Sequence, residues 1–222
     1  MSRYETLMAR DGHTFKAYIA APAGPIRGGI VIVQEIFGLT ANILRTADSY
    51  AADGYLAVAP ALFDRVRRGV VLGYSPEEIQ EGRGYREQVE IAQAMLDLAA
   101  AAAITRHAGK IALIGYCWGA RLAWLAASRL QLGAVVCYYG AHIAEHLEQD
   151  PTCPVMLHFG EHDASIPLAE VEHLRSAFPR GIYHLYAAGH GFSNEDRPEH
   201  YDAAAAALAR ARTNAFLAQN VG

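Results

Sequence analysis

Cysteine is scarce: the 222 residues hold three, Cys117, Cys137 and Cys153. An odd number with no CxxC spacing argues against a disulfide framework and against a zinc ribbon, so reduced thiols are expected. Long apolar runs are missing as well. No stretch approaches the roughly 18 apolar residues of a membrane span, and the opening MSRYETLMARDGHTFKAY is charged where a signal peptide would be apolar. These absences predict a cytoplasmic protein. There is no excess of charge of either sign: the formal net charge is −4 and the signs are interspersed. Neither a nucleic acid nor an anionic membrane is therefore expected as a partner. Internal repeats and linkers are absent too, which predicts one domain over residues 1–222.

What is present is an ordinary globular composition, 52% hydrophobic and 19% charged, arranged as alternating strands and helices. FKAYIAAP, after an Asp11-Gly12 turn signal, and GGIVIVQE read as early strands. Asn42 to Asp53 reads as a helix stopped by Gly54, and YLAVAPAL as the next strand. Residues 64–84 are polar and contain DRVRRG and SPEEIQEGRG. They lack core periodicity and are expected to form a lid or loop, with Ser75-Pro76-Glu77-Glu78 a helix start. Residues 85–103 return to a helical pattern. LGAVVCYYG, CPVMLHFG and GIYHLYA read as strands, PLAEVEHLRSAF as a helix, and Glu199 to Ala218 as an Ala-rich terminal helix. The alternation implies an α/β fold with a largely parallel sheet and helices on both faces.

Functional groups of such a sheet gather at the carboxyl ends of its strands. Those ends read Gln34-Glu35-Ile36-Phe37-Gly38, then Cys117, Tyr139-Gly140, Gly160-Glu161-His162-Asp163 and Gly189-His190-Gly191. The sequence KIALIGYCWGARLAWLAA passes from strand to helix through Gly-Tyr-Cys-Trp-Gly, a sharp turn that displays Cys117 at the top of the sheet. Nucleophile, acid and histidine follow in the chain order of α/β-hydrolases, with cysteine in place of serine.

Blander readings compete. Cys137 and Cys153 lie inside strands and read as small buried hydrophobes. Asp163 could cap the helix that begins near Pro167, and Glu161 and His162 are rival groups in the same loop. His158 and His162 are four apart, a metal-ligand spacing on a helix, but here it crosses a strand end, so the two rings should not share a face. His142 and His146 read as a solvated surface.

VIVQEIFGLT, IGYCWGARLA, VCYYG, HFGEHDASIP and AGHGFSNEDRPEHYDAAAAALARARTNAFL together resemble the dienelactone hydrolase family of α/β-hydrolases, over nearly the whole chain. The resemblance implies Cys117 as nucleophile, with Asp163 and His190 completing the triad. It implies Glu35 as the carboxylate that contacts the thiol and helps convert it to thiolate. A free thiol titrates near pH ~8.5, so activation is required; His190, Glu35 and the helix amino terminus can each contribute. Elbow geometry nominates the backbone N–H groups of Trp118 and Ile36 as oxyanion donors.

The expected activity is hydrolysis of a small ester or lactone through an acyl thioester, without cofactor or metal. The alternatives are a broader carboxylesterase or thioesterase of the same fold, a non-catalytic binding member, and a thiol-redox protein, which would want a nearby resolving cysteine. One position departs from the family. Four residues after the histidine, relatives that act on dienelactone carry an arginine for the substrate carboxylate; here stands Asn194, with Arg197 three residues further on. A carboxylate-bearing lactone is therefore expected to be a poor substrate, unless Arg65, Arg67, Arg68, Arg83 and Arg86 of the polar stretch supply the cation.

Overall fold

The computed structural model describes residues 2–222. Eight strands form one sheet: β1 (Ser2–Met8), β2 (Thr14–Ala20), β3 (Gly28–Val33), β4 (Tyr55–Pro60), β5 (Ile111–Tyr116), β6 (Ala134–Tyr138), β7 (Val155–Gly160) and β8 (Ile182–Tyr186), in the order β1-β2-β4-β3-β5-β6-β7-β8. From β4 to β8 every pairing is parallel, and β2 runs against both its neighbours. Strands β3 to β7 are buried from end to end. That is why they read as continuous apolar runs rather than alternations.

The helices are α1 (Ala41–Ala52), α2 (Pro76–Gln88), α3 (Ile91–Thr105), α4 (Trp118–Ala126), α5 (Leu168–Ala177) and α6 (Ala203–Asn220). Adjacent residues of a strand point to opposite faces, and two such pairs sort the helices. A side chain at Gly28 would run into Val221 beyond α6, whereas one at Gly29 would run into Thr105 of α3. The Cys137 thiol bonds the Ala120 carbonyl of α4, while the neighbouring Tyr138 hydroxyl bonds Thr213 of α6. Helices α3 and α4 thus cover one face and α6 the other. Arg210 of α6 lies over the Tyr50 ring of α1, 3.6 Å from its centroid, so α1 shares the second face.

Three boundaries differ from expectation. Strand β1 was not foreseen; it is an edge strand with only Leu7 buried. The helical pattern over 85–103 proves to be two helices, α2 and α3, separated at Val89 and Glu90. The polar stretch 64–84 accordingly holds most of α2. That helix starts where expected, with Ser75 and Glu78 forming a reciprocal capping box. The last helix begins at Ala203, capped by the Asp202 side chain, rather than at Glu199. No helix among the described residues is long and apolar enough to cross a membrane.

Candidate active site

Cys117 follows β5 directly and caps α4 with a left-handed backbone, φ 53° and ψ −117°. A β-carbon prefers to avoid that region, so the turn is strained and held by its surroundings. The holding contact is tight. A methyl group at Gly119 would come within 2.4 Å of the Val33 carbonyl and 2.5 Å of the Gln34 carbonyl. Glycine here lets α4 rest against the end of β3, which brings the sulfur beside the Glu35 loop.

His190 arrives from the loop after β8 and is bonded on both sides. Its Nε2 lies 3.2 Å from the Cys117 sulfur and its Nδ1 2.7 Å from Asp163 Oδ2. The other Asp163 oxygen accepts from the Ser165 backbone N–H at 2.8 Å. Asp163 therefore serves the histidine and its own turn; the cap position of α5 is Pro167. Burial works against a charged His190 ring, but the thiolate form of Cys117 and the Asp163 carboxylate outweigh it and push the imidazole up to about 10. An imidazolium facing sulfur is what an activated cysteine requires.

Glu35, at the end of β3, is 1% exposed. Its Oε2 accepts from Asn194 Nδ2 at 2.7 Å, while Oε1 has no hydrogen bond. The nearby Tyr139 hydroxyl lies 3.0 Å from the Ser193 hydroxyl and also favours the charged form of Glu35. Burial raises the Glu35 carboxyl above its ordinary range, against the pull of His190, the Asn194 amide and Arg197. Asn194 is thus the neutral partner of this carboxylate, itself fully buried and within reach of the Tyr74 hydroxyl.

The backbone N–H groups of Ile36 and Trp118 donate no hydrogen bond to another described residue. Both residues line, with Cys117, Glu35 and His190, a cavity of about 750 Å³. Helix α2 forms its outer wall. It approaches through Gly82, where a β-carbon would sit 2.2 Å from the Ile36 carbonyl, and through Tyr85, which packs on Phe63, itself stacked on Trp118. The stretch 64–84 is further tied to the Glu35 loop by the Leu72 N–H, which donates to the Phe37 carbonyl at 2.9 Å.

The competing residues lie elsewhere. Glu161 and His162 are exposed. His158 is buried within the sheet, bonded to Tyr186 and Thr213, and does not meet His162. Cys137 is fully buried, and its thiol is pushed well above the ordinary range by desolvation. Cys153 is also buried, its thiol raised to about 11 for the same reason. His142 is exposed, as expected, but borders the cavity and bonds Glu145 at 2.8 Å. Arg83 and Arg86 of α2 line the cavity, whereas Arg65 is spent on Asp11 and Asp97. Arg197 also reaches the cavity wall, over the rings of Phe37 and Tyr74. Arg121, absent from the residues that the sequence motifs mark, also faces the cavity. Its position four residues after Cys117 puts it on the same side of α4, a spacing readable in the sequence.

Known proteins resemble the chain over nearly its whole length. The chain is 34% identical over 225 residues to the carboxymethylenebutenolidase of Pseudomonas putida, an alignment covering 96% of this chain and 94% of that one. A crystal structure of a protein described as a dienelactone hydrolase from Klebsiella pneumoniae superposes with a TM-score of 0.85 at 29% identity, over 99% of each chain. A dienelactone hydrolase-like promiscuous phosphotriesterase from metagenomic libraries shares the fold, with a TM-score of 0.81 at 19% identity, over 100% of this chain and 99% of that one. The model of the dienelactone hydrolase family matches residues 15–221, and the chain belongs to that family of α/β-hydrolases, enzymes acting on carboxylic ester and lactone bonds.

Proposed function

We propose that the protein hydrolyses a small ester or lactone with Cys117 as nucleophile, His190 as general base and acid, and Asp163 as the group that orients the imidazole. The observation that carries this reading is the double bonding of His190, 3.2 Å to sulfur on one side and 2.7 Å to a buried carboxylate on the other. The Cys117 thiolate attacks the carbonyl carbon, forming a C–S bond and a tetrahedral oxyanion. The free N–H groups of Ile36 and Trp118 are its donors. Collapse breaks the bond to the alcohol oxygen, which leaves with the proton carried by His190. Water then attacks the acyl thioester, His190 takes the water's proton, and the acid departs as the thiolate is restored. Glu35 is the second proton acceptor for the thiol. Helix α2 acts as the lid of a single domain.

A cavity of about 750 Å³ exceeds what a five-membered lactone fills, and this favours the second reading, a broader carboxylesterase or thioesterase. A panel of activated esters, lactones and thioesters assayed with wild type and Cys117→Ala tests both. The expected result is turnover in wild type, a covalent acyl adduct on Cys117 by mass spectrometry, and neither in the variant. Activity surviving in Cys117→Ala would end the nucleophile assignment, and the rates across the panel rank the acyl groups.

A further inference from the structure

Among the described residues the sheet ends on one side at β1, with no strand beyond it. The Ala9 N–H donates to the His13 carbonyl at 2.8 Å, and the ladder continues from Met8 opposite Thr14 to Ser2 opposite Ala20 without a bulge. Backbone groups alternate in direction along a strand. Arg3, Glu5 and Leu7 therefore turn their N–H and C=O groups toward β2, while Ser2, Tyr4, Thr6 and Met8 aim theirs outward. Tyr4 and Met8 are also 54% and 68% exposed. Such an edge is a template for another strand unless a proline, a bulge or a covering segment blunts it. β1 holds no proline, and its only charges are Arg3 and Glu5, opposite in sign and two residues apart.

That spacing makes the strand complementary to itself. When two copies pair antiparallel about a two-fold axis, opposed side chains share a face of the joined sheet, so the axis passes through one residue of each copy. An axis at Arg3 opposes arginine to arginine, and one at Glu5 opposes glutamate to glutamate. Like charges directly opposite are destabilising. An axis at Thr6 places Glu5 against the buried Leu7 and Arg3 against Ala9, past the end of the strand. With the axis at Tyr4, Arg3 faces Glu5 of the second copy on both sides, and Ser2 faces Thr6.

The backbone favours the same register. Tyr4 with Tyr4, and Ser2 with Thr6 on either side, become the hydrogen-bonded pairs, each exchanging two backbone bonds; Arg3 and Glu5 fall in the intervening pairs, where side chains come closest. Within one chain Arg3 Nε already lies 2.6 Å from Glu5 Oε1, with both side chains exposed. Pairing across the axis trades that contact for an equivalent one. The charges thus select the register, while the outward backbone groups and the tyrosine rings supply the attraction.

We propose that β1 is a self-association edge, on which a second copy of this chain adds its own β1 antiparallel, centred on Tyr4, to join the two sheets. The active-site cavity takes no part in it.

Sedimentation velocity over roughly 1 to 300 µM, a range suited to a small interface, tests this. Wild type should pass from the mass of one chain to that of two. Arg3→Glu and Glu5→Arg should each weaken association about tenfold or more, because attraction turns to repulsion at both pairs. The double variant Arg3→Glu/Glu5→Arg should restore it. Thermal unfolding of dilute samples, unchanged across the three, shows that the fold is intact. In a Cys117→Ala background, Tyr4→Cys sets two α-carbons about 5.5 Å apart, within disulfide range, so diamide should link the copies, whereas Thr6→Cys should not link them. Wild type that stays monomeric throughout, a dimer unmoved by the single charge changes or not restored by the double one, or linkage through Thr6→Cys in place of Tyr4→Cys would overturn the proposal.

Discussion

Glu35→Gln should make the protein more stable and less reactive at once. The carboxylate is 1% exposed, one oxygen is bonded to the neutral Asn194 amide at 2.7 Å, and the other has no partner. Leaving a buried polar atom unsatisfied costs about 1–3 kcal/mol, more when it is charged. Glutamine fills the same volume, keeps an oxygen for Asn194 and removes the charge. The glutamine Nε2 would stand where Oε1 has no partner, so only the charge is relieved, and the expected gain near pH 8 is about 1 kcal/mol, or roughly 2–4 °C in Tm for a chain of this size. The sign of the pH dependence follows from the direction of the shift. Burial raises the Glu35 carboxyl above its ordinary value, so the folded chain holds this proton more tightly than the unfolded chain does. Stability then falls as pH rises from the ordinary glutamate range through the raised value. Glutamine does not titrate, so the advantage of the variant should vanish near pH ~4 and be complete above the folded-state pKa. Thermal unfolding at the two pH values reads this, and the rate of Cys117 alkylation together with kcat reads the loss of the second proton acceptor. If the variant is less stable at pH 8, or its gain is the same at both pH values, the buried charge is not the burden argued here. If alkylation is unchanged while activity and stability fall together, Glu35 is only a brace for its loop.

His190→Ala should keep the fold, since the residue lies in a glycine-flanked loop, and should lower kcat by about a hundredfold to ten-thousandfold; near-normal hydrolysis by the folded variant would remove the triad. Gly119→Ala must move either α4 or the end of β3, because the new carbon would meet two backbone carbonyls within 2.5 Å. A loss of about 3 kcal/mol is expected, with Cys117 alkylation slowed in the protein that still folds, and chemical denaturation with a reactivity assay measures both.

The parts of the fold that were legible are those where burial dictates composition. Strands β3 to β7 are covered on both faces, so their sequences are apolar throughout and could hardly be read otherwise. Strand β1 escaped because it lies at the sheet edge and buries only Leu7, leaving a polar segment with no face to announce. Helix α2 escaped periodicity for a related reason. It buries only Gly82 and Tyr85, so it carries no apolar stripe, and its one clear signal was the capping box at Ser75 and Glu78. The break between α2 and α3 is a turn at Val89 and Glu90 without glycine or proline, which pattern reading passes over.

The site divides the same way, between what a backbone constraint writes into the sequence and what only packing decides. Cys117 and His190 are flanked by glycines or small turns because the chain must reverse where a parallel sheet ends, and that punctuation marks them. Asp163 was harder to separate from Glu161 and His162, because three polar groups in one loop look alike until the backbone turns two of them to solvent. Asn194 looked like a simple loss of charge; its amide instead holds the carboxylate that the loop buries. Arg121 carried only its spacing of four from Cys117 as a marker, and an arginine on an Ala-rich helix normally reads as a solvated face. Only the approach of α2 through Gly82 closes the space above α4 and turns that face into a cavity wall. The display of Cys117 is set by local turn geometry, whereas the charges lining the cavity are set by which distant helix covers it.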